Sequence, residues 1–324
     1  MNTIRWGIAG PGKIARRFAL AVKNVPGAEL AAVASRDWER GKSFAETFGI
    51  GHVFRGYEEM ARWDGVDAVY IATPHPFHKP CAEIFLTAGK HVLCEKPLCV
   101  NASEARALKA CAEENGVFLM EALWTRFLPA ILEAQAIVRR GDIGEVLGIE
   151  ADFCYRTAAR DVPRLYLPEL AGGSLLDVGV YGLHFAAMFL GSAPVSVTSL
   201  ADTHQGVDIH TQILLKYSNG AMANISSAIG LTKPENAWIY GTGGQIFLPR
   251  FYGAQELCVR TAAGEEKITR NWAGNGFEEE IQEVCRCIRR GKLQSDILPL
   301  DESIAILELT DRVRSQTGIR YPFE

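Results

Sequence analysis

Short apolar runs alternate with amphipathic stretches through the first third of the chain. "TIRWGIA" (Thr3–Ala9), "ELAAVAS" (Glu29–Ser35), "DAVYIAT" (Asp67–Thr73), "HVLCE" (His91–Glu95) and "VFLMEA" (Val117–Ala122) are nearly continuous in aliphatic and small residues. That is the pattern of strands buried on both faces of a parallel sheet. Between them lie stretches with apolar positions three and four apart. One opens near Ile14, and "RDWERGKSFAETFG" closes at Gly49. A third runs from about Phe77 to Ala88 before Gly89, and "NASEARALKACAEENG" starts from Asn101 as N-cap and stops at Gly116. These are helix periods with helix stop signals. Strands alternating with helices of this length predict βαβ units and right-handed crossovers, with ligands beyond the carboxyl ends of the strands.

The rhythm changes after about Gly148. "VLGIEADFCYR", "VSVTSLADTH", "HTQILLKYSNGAMANISSA", "NAWIYGTGGQIFLP" and "ELCVRTAAGEEKITR" read as strands joined by tight turns, with Asn219-Gly220 a strong hairpin signal. They predict a large, mostly antiparallel open sheet. Helices are expected over about Ser174–Leu190, from Phe277 and from Asp301. The fold class is therefore α/β in two parts. A dinucleotide-binding domain over residues 1–122 precedes an α/β domain over 123–324, with the break near Glu121–Pro129.

Composition narrows the function classes. Charged residues make up 22% and the formal net charge is −4, so no basic face is implied and nucleic acid is a poor partner. The apolar runs are short and interrupted, so no bilayer span is expected. The N-terminus enters a strand without a signal peptide's cleavage region. Eight cysteines (Cys81, Cys94, Cys99, Cys111, Cys154, Cys258, Cys285 and Cys287) include no C-x-x-C pair and mostly sit in apolar patterns. They predict reduced thiols in a cytoplasmic protein and no structural zinc.

Chemistry concentrates at strand ends. "GPGKIA" follows the first strand and opens a helix. Gly10 permits the tight turn, Gly12 lets backbone approach a pyrophosphate, Lys13 and Ile14 begin the helix, and Ala15 keeps it near the sheet. After the second strand come Ser35, Arg36, Asp37 and Arg40. A guanidinium fork matches a 2′-phosphate, so Arg36 with Arg40 favours NADP; with both arginines in solvent, Asp37 would accept the ribose of NAD. "TPHPFH" places Thr73, Pro74, His75 and His78 on the same ligand side. No third ligand joins the two histidines, so no metal site is expected. Glu95, Lys96 and Pro97 follow the fourth of these strands at its carboxyl end. On the predicted helix near residue 180, Asp177 and Tyr181 are four apart and His184 three further, so they should share a face. Trp124, Arg126, Phe153 and Tyr155 are candidate walls for an apolar ring or a sugar face; Phe277 is a weaker one.

The glycine loop, "TPHPFH", "CEKP" and "GGSLLDVGVYGLHF", in this order and spacing, resemble the Gfo/Idh/MocA oxidoreductases over essentially the whole chain. Through "HVLCEKP", "FLMEALWTRFLPA" and the tyrosine of "DVGVY", the chain is most similar to the branch of dimeric dihydrodiol dehydrogenases and D-xylose dehydrogenases. The resemblance implies a Rossmann domain, nicotinamide held between the domains, and a homodimer through the open sheet. It also implies a catalytic Lys96 and a cis Lys96–Pro97 bond, with Glu95 and Pro97 shaping the turn under the nicotinamide and the "TPHPFH" loop, His78 above all, on its cofactor side. The expected activity is NADP-dependent hydride transfer involving a cyclic diol, polyol or aldose. A lone tyrosine is a poor base at neutral pH; Lys96 beside Tyr181 would favour its phenolate, and Asp177 would orient the pair. A carbonyl or anhydro-sugar reductase is the same chemistry reversed. A non-turnover dinucleotide sensor on the same fold is the competing class.

Overall fold

The computed structural model describes residues 3–324. Two compact units form, Met1–Trp124 with Ala273–Ile304, and Thr125–Trp272 with Ala305–Glu324. A sequence division at 122/123 differs from this grouping chiefly at residues 273–304, which return to the first unit.

The first unit runs β1 (Ile4–Ala9), α1 (Lys13–Val22), β2 (Ala28–Ser35), α2 (Trp38–Phe48), β3 (His52–Arg55), α3 (Tyr57–Ala61), β4 (Ala68–Ile71), α4 (His78–Thr87), β5 (His91–Glu95), α5 (Ala102–Glu114) and β6 (Leu119–Ala122). Its six strands are parallel in the order β3-β2-β1-β4-β5-β6. The order reverses between β1 and β4, so their carboxyl ends flank the crevice where such sheets take ligands. The helix punctuation matches its local chemistry. Asp37 caps α2 by accepting the Arg40 N–H, Asn101 caps α5 by accepting that of Glu104, and Gly49 ends α2 in the left-handed region. Trp6, Phe18 and Tyr70 form the aromatic core, with Phe18 stacked on Tyr70 at 3.9 Å and Trp6 edge-on to Phe18 at 5.2 Å. The edge strand β3 and the short α3 carry no sequence signal of their own, since β3 is four residues long and only half-buried.

The second unit runs α6 (Pro129–Arg140), β7 (Val146–Cys154), a π-helical turn (Leu175–Gly179), α7 (Val180–Leu190), β8 (Ser196–His204), β9 (Val207–Lys216), β10 (Met222–Ala228), β11 (Ala237–Gly241), β12 (Gly244–Leu248), β13 (Glu256–Thr261) and β14 (Gly264–Thr269). Helix α8 (Glu278–Arg289) belongs to the first unit, and α9 (Leu300–Thr317) closes the chain. The eight strands lie in the order β14-β13-β12-β11-β7-β10-β9-β8. All neighbours are antiparallel except β10 and β7, whose residues pair in parallel across 74 positions of chain, as Met222 does with Gly148. The Asn219-Gly220 turn joins β9 to β10, with Gly220 at φ +90 and the Asn219 side chain accepting the Ala221 N–H.

One face of this sheet packs on α7. Gly182 is essential there, because a Cβ would lie 2.5 Å from Ile225 Cγ2. The other face presents Leu200, Leu214 and Met222, 46–77% exposed, in register with half-buried Trp238, Tyr240 and Phe247. Within Pro168–Leu190 an 18-residue window is apolar enough by composition to cross a membrane, with mean hydropathy 1.4, but 83% of that window is buried inside the protein. Here it is a core segment.

Candidate active site

At the carboxyl end of β1, Gly10 takes φ +90, and a Cβ there would lie 3.0 Å from the Ala72 carbonyl oxygen. Only glycine makes that turn without strain. A Cβ at Gly12 would meet nothing within 4 Å, so open space faces the loop. Gly12 caps α1, whose first turn, starting at exposed Lys13 and half-buried Ile14, holds no acidic residue. Unpaired N–H groups and the helix dipole there favour an anion. Across the crevice the buried Thr73 Oγ1 has no partner among the described residues, and its Cγ2 lies beside Gly10. The residues therefore fit a dinucleotide pyrophosphate. After β2, Ser35 is buried and receives the Asp37 N–H, while Arg36 is exposed and lies 4.9 Å over the Phe77 ring. Asp37 is engaged as the α2 cap, 3.9 Å from the Arg40 guanidinium.

The Lys96–Pro97 bond is cis. Glu95, 8% exposed, accepts the Tyr70 hydroxyl and the Lys96 N–H, and burial, the largest influence, raises its pKa against the pull of Lys96. Beneath the turn, His78 is fully buried with one ring nitrogen 2.8 Å from the Pro97 carbonyl and the other 2.8 Å from that of Thr73. Burial pushes its pKa down. Two carbonyl acceptors work the other way, since each needs a ring N–H. Both nitrogens are thus committed, and His78 acts on the crevice by tying the "TPHPFH" loop to the turn after β5. His75, 6% exposed, sits edge-on to it at 5.7 Å, and Pro74 is half-buried.

Trp124 and Phe277 stand close together, but as packing residues. They are 6% and 2% exposed, and Arg17 lies 4.9 Å and 4.5 Å over their rings while donating to the Asn275 carbonyl. Near Glu95 and Arg17 is a residue the sequence did not flag. Glu280 is fully buried, neither carboxyl oxygen has a partner among the described residues, and burial followed by Glu95 drives its pKa well above the usual carboxylate range. It follows two other glutamates in the first turn of α8, and nothing in the local sequence marks it as the buried one.

In the second unit, Asp177 lies within the π turn and Tyr181 in the first turn of α7. Asp177 thus sits in a wider turn than an α-helix makes, directly before the helix that carries Tyr181. Such turns concentrate at functional sites. Asp177 is 4% exposed, and both its oxygens are engaged: Tyr155 Oη donates to Oδ2 at 2.8 Å and Arg164 to Oδ1 at 2.9 Å. It is an acceptor held in place. Burial, then Asp177, pushes the Tyr155 phenol far up, so Tyr155 stays a donor. Tyr181 is 8% exposed, with Phe153 edge-on at 5.2 Å. Phe153 stacks on Tyr252 at 4.0 Å with planes 13° apart. Tyr252 and Arg164 escaped the sequence reading because each comes from a loop with no motif. His184 (1% exposed) and Arg126 (4% exposed) are buried. The second unit thus offers a phenol, a fixed carboxylate and a half-buried aromatic stack.

Residues 4–123 match the family of oxidoreductases with an NAD-binding Rossmann fold (Gfo/Idh/MocA), and residues 131–247 match the GFO/IDH/MocA C-terminal domain. The trans-1,2-dihydrobenzene-1,2-diol dehydrogenase of Mus musculus is 35% identical over 332 residues, covering 98% of each chain. Among solved structures, the 3-ketoreductase KijD10 of Actinomadura kijaniata, solved with NADP and TDP-benzene, superposes with a TM-score of 0.88 at 29% identity and 98% coverage of both chains. The aldose-aldose oxidoreductase of Caulobacter crescentus gives 0.87 at 26% identity, again over 98% of each. The glycine turn, the strand-edge lysine and the two-unit fold thus sit in a known frame: the chain belongs to the Gfo/Idh/MocA family and is an NAD(P)-dependent oxidoreductase.

Proposed function

We propose that the protein is an NADP-dependent dehydrogenase of a cyclic vicinal diol, polyol or aldose, with Tyr181 as the proton acceptor, Lys96 as its electrostatic partner and Asp177 as its orienting carboxylate. The observation that carries this reading is the Phe153–Tyr252 stack standing edge-on to Tyr181. Two aromatic faces suit a planar ring or the apolar face of a pyranose. Full-length relatives named for a dihydrobenzenediol support the ring, and the ketoreductase and aldose oxidoreductase support a sugar.

Gly10, Gly12 and the first turn of α1 would hold the pyrophosphate, and Thr73 Oγ1 and the turn at Lys96 the nicotinamide side. Arg36 and Arg40 would take the 2′-phosphate, which the capping role of Asp37 favours. When bound, the nicotinamide supplies the hydride acceptor. Tyr181 then receives the hydroxyl proton as the carbinol C–H bond breaks. An ammonium at Lys96 favours its phenolate, and Asp177, fixed by Tyr155 and Arg164, restrains the pair. With a dihydrodiol, the product ketone tautomerises to a catechol and aromatisation drives the reaction. With a pyranose, oxidation at C1 gives a lactone. The ketoreductase and sugar relatives favour, as second reading, the reverse direction on a sugar ketone.

The open sheet face with Leu200, Leu214, Met222 and Trp238 supports a homodimer, and eight free thiols support a cytoplasmic location. Reduced-nicotinamide absorbance with NADP over a panel of dihydrodiols, inositols, aldoses and anhydro-sugars tests the activity. Turnover of a ring diol or aldose is expected. Cofactor binding without turnover across the panel would instead identify a sensor. Sedimentation of the intact chain should give twice the monomer mass, and a monomer would refute the dimer.

A further inference from the structure

The π turn carrying Asp177 starts at a diglycine corner that is fastened from two directions. Gly172 has no room for a side chain, because a Cβ would lie 2.6 Å from the Leu165 carbonyl oxygen. Gly173 takes φ +110, and a Cβ there would lie 2.2 Å from Asp208 Oδ1. Their N–H groups donate back to the Leu167 and Leu165 carbonyls at 3.1 Å and 2.8 Å, which closes the loop that carries Arg164. Asp208 is fully buried, and its Oδ2 accepts Ser174 Oγ at 2.6 Å, the Leu175 N–H at 2.7 Å and Thr211 Oγ1 at 2.9 Å. A carboxylate from β9 therefore grips the first residues of the π turn.

The second fastening comes from the segment after α9. Tyr321, 3% exposed, donates its hydroxyl to the Gly172 carbonyl at 3.2 Å. Its own placement is over-determined. The Arg314 guanidinium lies 4.9 Å over its ring and pairs with Asp311 at 2.8 Å and Glu324 at 2.7 Å, and the Glu324 carboxylate accepts the Tyr321 N–H.

We propose that Asp208 and Tyr321 are positioning residues for Asp177 and Tyr181: they clamp the Gly172–Gly173 corner, which fixes the start of the π turn and the arm that brings Arg164 onto Asp177. The catalytic half of this role rests on the reading of Asp177 and Tyr181 given above. Neither residue belongs to the glycine loop, the turn at Lys96 or the aromatic stack. The clamp works through geometry, so it should govern kcat and leave cofactor affinity alone.

The test uses the full chain with Tyr321→Phe, which deletes one hydroxyl, and Asp208→Asn, which keeps an acceptor and the shape but removes the charge. Amide hydrogen exchange and steady-state kinetics are read on both. Loss of one hydrogen bond predicts about two- to tenfold faster exchange confined to residues 172–181 in Tyr321→Phe. Asp208→Asn should exceed that, because Ser174, Leu175 and Thr211 all donate to one oxygen and a neutral amide accepts each of them more weakly than a carboxylate. kcat should fall by a similar factor, with KM for NADP and for the diol or sugar unchanged. Unaltered exchange at 172–181 in both variants would overturn the clamp. A rise spread evenly over the unit, with KM and kcat moving together, would also overturn it by showing a general structural role. If the wild-type protein turned over no substrate, the functional reading would fall, and the exchange pattern would still decide the clamp.

Discussion

Replacing Glu280 by Gln tests whether the first unit holds a protonated carboxyl. Glu280 is fully buried, its oxygens have no partner among the described residues, and burial together with Glu95 raises its pKa well above 4.5. For an acid whose folded pKa is raised, the folded state binds the proton more tightly than the unfolded chain. Its favourable contribution is complete below the unfolded value near 4.5 and is lost as pH climbs toward the folded value. Over that window each pH unit costs the wild-type protein up to about 1.4 kcal/mol relative to a variant that cannot ionise. The constant cost of burying an amide cancels when only the pH dependence is compared. For a domain of this size about 1 kcal/mol moves Tm by about 2–4 °C. The expected signature is Glu280→Gln gaining on wild type by about 3–6 °C per pH unit in melts taken upward from pH 4.5. A melting difference that stays flat with pH would refute the reasoning, because Glu280 would then be ionised in the folded protein or solvated.

Arg36→Ala should raise the Michaelis constant for NADP by tenfold or more and leave that for NAD within about twofold, since a charge-assisted fork to phosphate is worth about 1.5–3 kcal/mol; equal effects on both cofactors would remove the 2′-phosphate assignment. Tyr155→Phe removes a donor to Asp177 and should lower kcat by about three- to tenfold with cofactor affinity unchanged; unchanged kcat would mean that the Tyr155 hydroxyl does not fix the carboxylate. At Asp67 burial works against ionisation, but the Arg5 fork outweighs it and holds the folded pKa below 3.8. Arg5→Gln should therefore destabilise the protein modestly at neutral pH, and the difference should fade as pH falls through that lowered value, in melts of the two proteins.

Local chemistry made much of this fold legible. The Gly10–Gly12 turn, the Asn101 cap, the strand ending at Glu95 and the Asn219-Gly220 hairpin all declare themselves within a few residues. What stayed hidden depends on distance along the chain. The parallel pairing of β7 with β10 brings together Glu150 and Asn224, and no short-range pattern encodes it. Edge strand β3 is too short and too exposed to show a period. The candidate residues were legible as types at strand ends, but their partners were not. Arg164 and Tyr155 reach Asp177 from outside its segment. Trp124 and Phe277 looked like cleft walls because apolar aromatic residues read the same way in a core, where Arg17 in fact packs on them.

The account turns on Tyr181 as the group that takes the substrate proton. Tyr181→Phe keeps the ring against Phe153 and removes only the hydroxyl, so single-turnover hydride transfer can be compared with NADP affinity in one protein. The account predicts a rate at least about a hundredfold lower, the usual worth of general acid–base catalysis, with NADP affinity unchanged. Hydride transfer at close to the wild-type rate would contradict it and leave the proton without its assigned acceptor.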